Sequence, residues 1–154
     1  MKSAELEIAL AHYFGFRQNL VVPNISWGLG IHECDLIVIR KSGYAVEIEI
    51  KVSVQDLKAD LKKRHQHKSN KIRELYFAMP SSMIAAIEYV PEHAGIILIE
   101  ENSKVKFHRD PKINTSARKL TSAEIAKVAH LGCMRIWTLK SNLFNAKNKI
   151  GFTR

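Results

Sequence analysis

The 154-residue sequence predicts an α/β fold: a mixed central sheet flanked by helices, with a long C-terminal helix. Three observations carry this. Residues 32–53 (HECDLIVIRKSGYAVEIEIKVS) read as two apolar strands joined by a tight turn. Residues 94–100 (AGIILIE) form a continuous apolar run, which suits a strand covered on both faces. Thr121-Ser122-Ala123-Glu124 is a capping box that opens a long helix. At this length one domain is expected, with room for a sizeable core.

In chain order, Ser3 is placed to cap a helix over residues 4–14. Leu6, Leu10, Tyr13 and Phe14 share its inward stripe, and Gly15 stops it. Residues 20–27 make a first strand; Pro23 marks it as an edge or bulged one. Gly28-Leu29-Gly30 turns the chain into the hairpin. Ser53-Val54-Gln55-Asp56 resembles a capping box for a helix to about His65, with Leu57 and Leu61 inward. Residues 71–79 form a central strand ended by Pro80, and Ser81-Ser82 start a short helix to about Ile87. Residues 104–108 suit an edge strand whose lysines discourage further pairing. Residues 110–119 are loop. The last helix is expected to run to about Asn145, burying Ile125, Val128, Ala129, Met134 and Trp137.

The hairpin holds the chemistry. Lys41-Ser42-Gly43 fits a three-residue loop, with Gly43 supplying the left-handed residue. Paired residue numbers then sum to 84, setting Asp35 across from Glu49 and Glu33 across from Lys51. Strict alternation puts Glu47, Glu49 and Lys51 on one face, and Val46, Ile48 and Ile50 on the other. Opposed Cβ atoms lie about 5 Å apart, so two carboxylates there repel unless a cation lies between them. A divalent ion with hard oxygen ligands is the simplest one. An exposed face laced with salt bridges would explain Glu33 opposite Lys51, but not Asp35 opposite Glu49. Removing the charge at Glu49 is then expected to leave the fold intact, or to stabilise it without metal.

Asp35 followed by Glu49-Ile50-Lys51 on the next strand resembles the PD-(D/E)xK nuclease signature. Ala4-Glu5 is similar to the leading glutamate of those nucleases. The whole chain resembles the MmcB-like DNA-repair proteins, including DLKADLKKRHQHKSNKIRELYFAMP, Pro91-Glu92-His93-Ala94-Gly95 and SARKLT. The resemblance implies a restriction-endonuclease-like core, which the order of elements matches. It also implies a Mg²⁺-dependent deoxyribonuclease, with Mn²⁺ as a substitute ion, acting in DNA repair or processing. Asp35, Glu49 and the Ile50 carbonyl would be the metal ligands. Lys51 would contact the phosphate and the attacking water, and Glu5 would sit at the edge of the site. Glu47 and Gln55 would support it from behind. Charge near the helix end suffices to explain Glu7.

Twenty-four Lys and Arg against 15 Asp and Glu give a formal charge of +9, which points to a polyanion partner. Lys58, Lys62, Lys63, Arg64, Lys68 and Lys71 follow the hairpin and are candidates for one wall of a DNA groove, or for a solvated helix face. His65-Gln66-His67 fits surface or phosphate contact better than zinc. Five basic residues and no acid from Arg135 to Arg154 make the tail a second candidate contact. Duplex, branched or damaged DNA is the expected partner, with RNA a weaker reading and a homodimer an open option. A catalytically silent DNA-binding module of the same fold is the alternative function. Cys34 and Cys133 are too few for a disulfide framework and read as small buried hydrophobes. No signal peptide and no apolar run of membrane-spanning length is visible, so the cytoplasm is expected, with nucleoid association open.

Overall fold

The computed structural model describes residues 1–25, 30, 33–60 and 69–150, the last four without their side chains. The elements are α1 (Ser3–Tyr13), β1 (Leu20–Ile25), β2 (Cys34–Ile39), β3 (Ala45–Ile50), α2 (Val54–Asp60), β4 (Ile72–Pro80), a 3₁₀-helix (Ser81–Tyr89), β5 (Gly95–Ile99), β6 (Val105–Arg109) and α3 (Ser122–Ile150). The six strands lie side by side in sequence order. β3, β4 and β5 run parallel, and the remaining neighbours pair antiparallel. This is the mixed, helix-flanked α/β sheet that the sequence predicts. Pro23 and the lysine-bearing β6 do lie on its two edges. Among the described residues no helix is long and apolar enough to cross a membrane.

The hairpin register agrees with the prediction: Leu36↔Ile48, Ile37↔Glu47, Val38↔Val46 and Ile39↔Ala45 each sum to 84. Gly43 has φ +86°, and its N–H donates to the Arg40 carbonyl at 2.8 Å, as the three-residue loop requires. Gly95 answers a different demand. A Cβ there would lie 2.5 Å from the Tyr76 ring and 3.0 Å from the Arg109 carbonyl.

The sheet is covered on both faces. α1 lays Leu6, Ala9, Leu10 and Phe14 over Leu36, Val38, Val46, Ile48, Ile50, Tyr76 and Ile97. The opposite face carries two separate apolar clusters. One joins Val22, Ile25, Ile37 and Ile39 to Leu120 and Val128 at the start of α3. The other joins Leu75, Phe77 and Met79 to Leu57 of α2 and to Met83 and Ala86. β3 lies between them, and there its side chains turn from Ala45 to Glu47, Glu49 and Lys51. The polar residues of the hairpin thus fill a seam between two dry patches.

Four local expectations are corrected. Ser3 is the first residue of α1 rather than its cap; the Glu5 carboxylate closes the turn by accepting the Lys2 N–H at 2.7 Å. Tyr13 is exposed and stacks at the edge near Phe107, while Ala9 takes the buried position. α3 continues past Asn145 to Ile150, and its Met134 and Trp137 are exposed rather than core. Cys133 is exposed too, whereas Cys34 is buried as expected. Residues 61–65 of the second predicted helix, with the predicted inward Leu61, residues 26–27 of the first predicted strand and Gly28-Leu29 of the predicted turn lie outside the described residues.

Candidate functional site

The site is built where the β2–β3 ladder stops. Asn24 of β1 has φ +51°, a left-handed kink at the strand's end. Leu36↔Ile48 is the last ladder pair at this end. One residue beyond, Asp35 replaces a strand carbonyl with its own side chain: Oδ2 accepts the Ile50 N–H at 2.8 Å. β3 itself is held on its other side, where Lys51 N donates to the Ala78 carbonyl at 2.9 Å. The Ser53 hydroxyl caps α2 by accepting the Asp56 N–H at 3.1 Å, which turns the chain away immediately after Lys51.

Glu49 and Lys51 are 2% and 4% exposed, yet both reach a cavity of about 590 Å³. Its lining is Ser3, Glu33, Asp35, Glu49, Ile50, Lys51, Val52 and Asp56. Lys51 Nζ donates to Glu49 Oε2 at 2.9 Å and to Asp60 Oδ1 at 3.0 Å, and stands 5.9 Å from the Phe77 ring. Burial alone would lower the ammonium's pKa. The Glu49 charge and the hydrogen bonds to Glu49 and Asp60 outweigh it, so the pKa is raised and Lys51 stays protonated.

Acids set the field here. Burial first, then the charges of Glu47, Glu49, Asp35 and Glu33, push the Cys34 thiol far above its ordinary value, leaving it inert. Glu47 is fully buried beneath this cluster. Burial and then the charge of Asp35 raise the pKa of Glu7 on α1. The sequence reading picked Glu5 from that helix, but Glu5 bonds its own helix terminus and does not line the cavity. Gln55 is exposed on the outer side of α2.

The structure therefore brings Asp35, Glu49, Ile50 and Lys51 to one cavity, with Glu47 behind them. Two further acids that sequence reasoning missed stand beside the cavity without lining it, Asp60 through its bond to Lys51 and Glu7 in the field of Asp35. Glu7 is partly buried on α1, where Glu5 is exposed. Asp60 falls three residues after the inward Leu57, a spacing that shares one helix face; that spacing was the available signal.

Opposition of Asp35 and Glu49 was the sequence's argument for a cation, and the structure changes it: each carboxylate has a donor of its own, Ile50 N–H for one and Lys51 for the other. Among the described residues no three His, Cys, Asp or Glu side chains converge to hold a metal by themselves. The donor chemistry does fit a hard ion. Asp35, Glu49 and Ile50 line one cavity, and Mg²⁺ commonly takes one or two carboxylates and completes its shell with water and substrate oxygens.

Of the basic residues expected at DNA, Lys62, Lys63, Arg64 and Lys68 lie outside the described residues, as do His65 and His67. Lys58 is exposed, its ammonium 4.3 Å from the Tyr89 ring centre. Lys71 is half-buried and pairs with Glu124 at 3.1 Å. A second cavity, about 540 Å³, lies at the opposite end of β4 and is lined by Arg73, His93, Lys112 and Asn114 among others. Asn114 Nδ2 bonds the carbonyls of Ser69 and Ile72 at 2.9 Å, which ties it to the architecture rather than to a ligand.

A family model described as MmcB-like, DNA repair protein MmcB-like, matches residues 10–142. That span contains Asp35, Glu49, Ile50, Lys51 and Asp60, and leaves out Glu5 and Glu7. No curated protein matches the sequence. A solved structure of a protein of unknown function from Silicibacter pomeroyi shares the fold, with a TM-score of 0.66 at 17% identity, covering 96% of this chain and 94% of that one.

Proposed function

The chain belongs to the MmcB-like DNA repair protein family, and we propose that within it this protein is a Mg²⁺-dependent deoxyribonuclease of the PD-(D/E)xK type, with a restriction-endonuclease-like core. One observation carries the reading. In a chain of formal charge +9, the cavity at the end of β3 is lined by four carboxylates and one ammonium. The protein as a whole attracts a polyanion, while this cavity repels a phosphate unless a cation enters with it.

Asp35, Glu49 and the Ile50 carbonyl would hold that ion; when bound, it supplies Lewis-acid stabilisation of the phosphate and a water acidified for attack. The rest is the work of the chain's own groups. Lys51 is not a base, because Glu49 and Asp60 keep it protonated. Two of its three ammonium protons serve those acids, and the third would serve a phosphate oxygen as charge develops there. Asp60 fixes the ammonium from the α2 side. Asp35 holds the Glu49–Ile50 peptide through the Ile50 N–H, and the peptide that carries the Ile50 carbonyl is held by the Lys51 N–H donating to Ala78.

The near-complete burial and internal pairing of Glu49 and Lys51 favours one other reading, a DNA-binding module of the same fold that does not cut. One assay separates the two. The protein is incubated with duplex, nicked, flapped, branched and single-stranded DNA and Mg²⁺ or Mn²⁺, beside Asp35→Ala and Lys51→Ala. Cleavage by the wild type that both variants lose supports the nuclease. DNA binding by all three forms with no cleavage by any leaves the module. Binding is expected to weaken steeply with salt in either case, and a flat response from low to moderate salt argues against a phosphate-contacting surface.

A further inference from the structure

α3 changes its surroundings halfway along. Its first half is packed: Val128 is buried, Gly132 passes so close to β1 that a Cβ would meet Val22 Cγ2 at 3.3 Å, and Arg135 Nη2 donates to the Asn24 carbonyl at 2.7 Å. From Ile136 to Ala146 every residue is exposed. At 1.5 Å per residue this bare segment is about 16 Å long. Its sequence is not that of a solvated helix. Ile136, Trp137, Leu139, Leu143 and Phe144 are each more than half exposed, with Trp137 at 67% and Phe144 at 66%. Spacings of three, four and seven put them on one arc, the anchor pattern of a helix that lies in a groove. A helical segment without tertiary packing is marginal in water, so the arc gains stability by being covered.

Charge decides what covers it. Lys140 stands inside the arc, four and three residues after Ile136 and Trp137 and three and four before Leu143 and Phe144, its ammonium 5.2 Å from the Trp137 ring centre. From Ile125 to Arg154 the sequence contains no acid. A second copy of the same arc would bring cations and no anion to Lys140. An interfacial helix on a membrane keeps its basic residues beside the apolar face, whereas Lys140 occupies that face's middle. Single-stranded DNA needs flat rings for stacking, and three of the five arc residues are aliphatic.

We propose that the exposed half of α3 is a docking helix for another protein, one that offers an apolar groove with a carboxylate opposite Lys140. Burying the arc then leaves the lysine paired rather than stranded. The surface lies on a different element from the cavity at the end of β3, and the inference stands whether or not that cavity cuts DNA.

The test uses the full chain. Carbodiimide, which joins amines to carboxylates at zero length, is applied to the tagged protein in an extract of its host cells. The peptide joined to Lys140 is identified by mass spectrometry, and the protein that contains it is purified for binding measurements. Capture alone does not support the proposal. Support requires that Lys140→Glu weakens binding at least about 30-fold, the size expected for losing a desolvated charge pair. Lys140→Arg must retain it, and changing the partner's crosslinked acid to lysine must restore binding to Lys140→Glu. Circular dichroism checks that the variants stay helical. The proposal is overturned if Lys140 joins no foreign carboxylate or if the charge swap rescues nothing. It also fails if the pure chain dimerises in sedimentation and Leu143→Ser abolishes the dimer, or if Trp137→Ser and Leu143→Ser mainly reduce binding to phosphatidylserine vesicles or to DNA.

Discussion

β3 presents two faces that are equally dry and chemically opposite. Toward α1 it shows Val46, Ile48 and Ile50, an ordinary apolar layer; toward α2 it shows Glu47, Glu49 and Lys51, all buried. The apolar face needs no explanation beyond the hydrophobic effect. The polar face does, because taking an ion pair out of water costs roughly what its internal attraction returns, and well-packed apolar residues would hold the sheet as well. The difference teaches which residues are there for folding and which are there in spite of it. Glu49, Lys51 and Asp60 are the second kind.

The comparison is most exposed to failure at Lys51. Lys51→Met keeps the stem but strips Glu49 and Asp60 of their shared counter-charge, and is expected to destabilise by about 3–5 kcal/mol. Urea denaturation measures it. Cleavage, where the wild type shows it, should vanish in the same variant. A neutral result would mean that the two acids do not rely on the ammonium. Glu49→Gln belongs to the same experiment, and here the structure reverses the sign expected from sequence. The glutamate offsets a buried lysine, so its neutralisation should destabilise, with or without metal.

Ile48→Ala probes the opposite face. A cavity in the layer beneath α1 should cost about 3 kcal/mol. Cleavage per folded molecule should not change. If it does, the faces are coupled through the strand and the separation drawn above is wrong. Asp60→Asn is milder: it keeps an oxygen within reach of Lys51 Nζ while removing a charge. A loss of about 1–2 kcal/mol is expected, less than for Lys51→Met. A pH profile of cleavage tells positioning from mere packing, since a looser lysine would shift the alkaline limb downward.

The two faces of β3 were legible in the sequence because alternation is a local property, and Gly43 fixed the hairpin register that orients them. The apolar run of residues 94–100 was legible for the same reason. Asp60 was only half legible: its spacing from Leu57 turns it inward on α2, but that it meets Lys51 depends on how α2 packs at the strand end, which no local pattern shows. Glu7 was not legible, because charge near the helix end already explains it and the family signature points to Glu5; Glu5, at the terminus, had an unmet backbone N–H nearer to hand. The bare half of α3 escaped for another reason. Periodicity identifies an apolar face but not whether anything within the chain lies against it, so Met134 and Trp137 read as core.

Glu7→Gln gives the smallest expected effect and the sharpest test for a cation. Burial and Asp35 raise the glutamate's pKa, so the folded state binds its proton more readily than the unfolded chain does. A raised acid destabilises at neutral pH, and the penalty fades as pH falls through the folded pKa to below the ordinary glutamate range, where both states are protonated. Glu7→Gln should therefore raise the melting temperature slightly at neutral pH with chelator present, and the advantage should shrink in acid. A divalent ion beside Asp35 would neutralise the same repulsion, so saturating Mg²⁺ should remove or reverse the gain. An equal gain with Mg²⁺ and with chelator would mean that no ion shares the field of these two acids, and the metal reading of the cavity would lose its support independently of any cleavage assay.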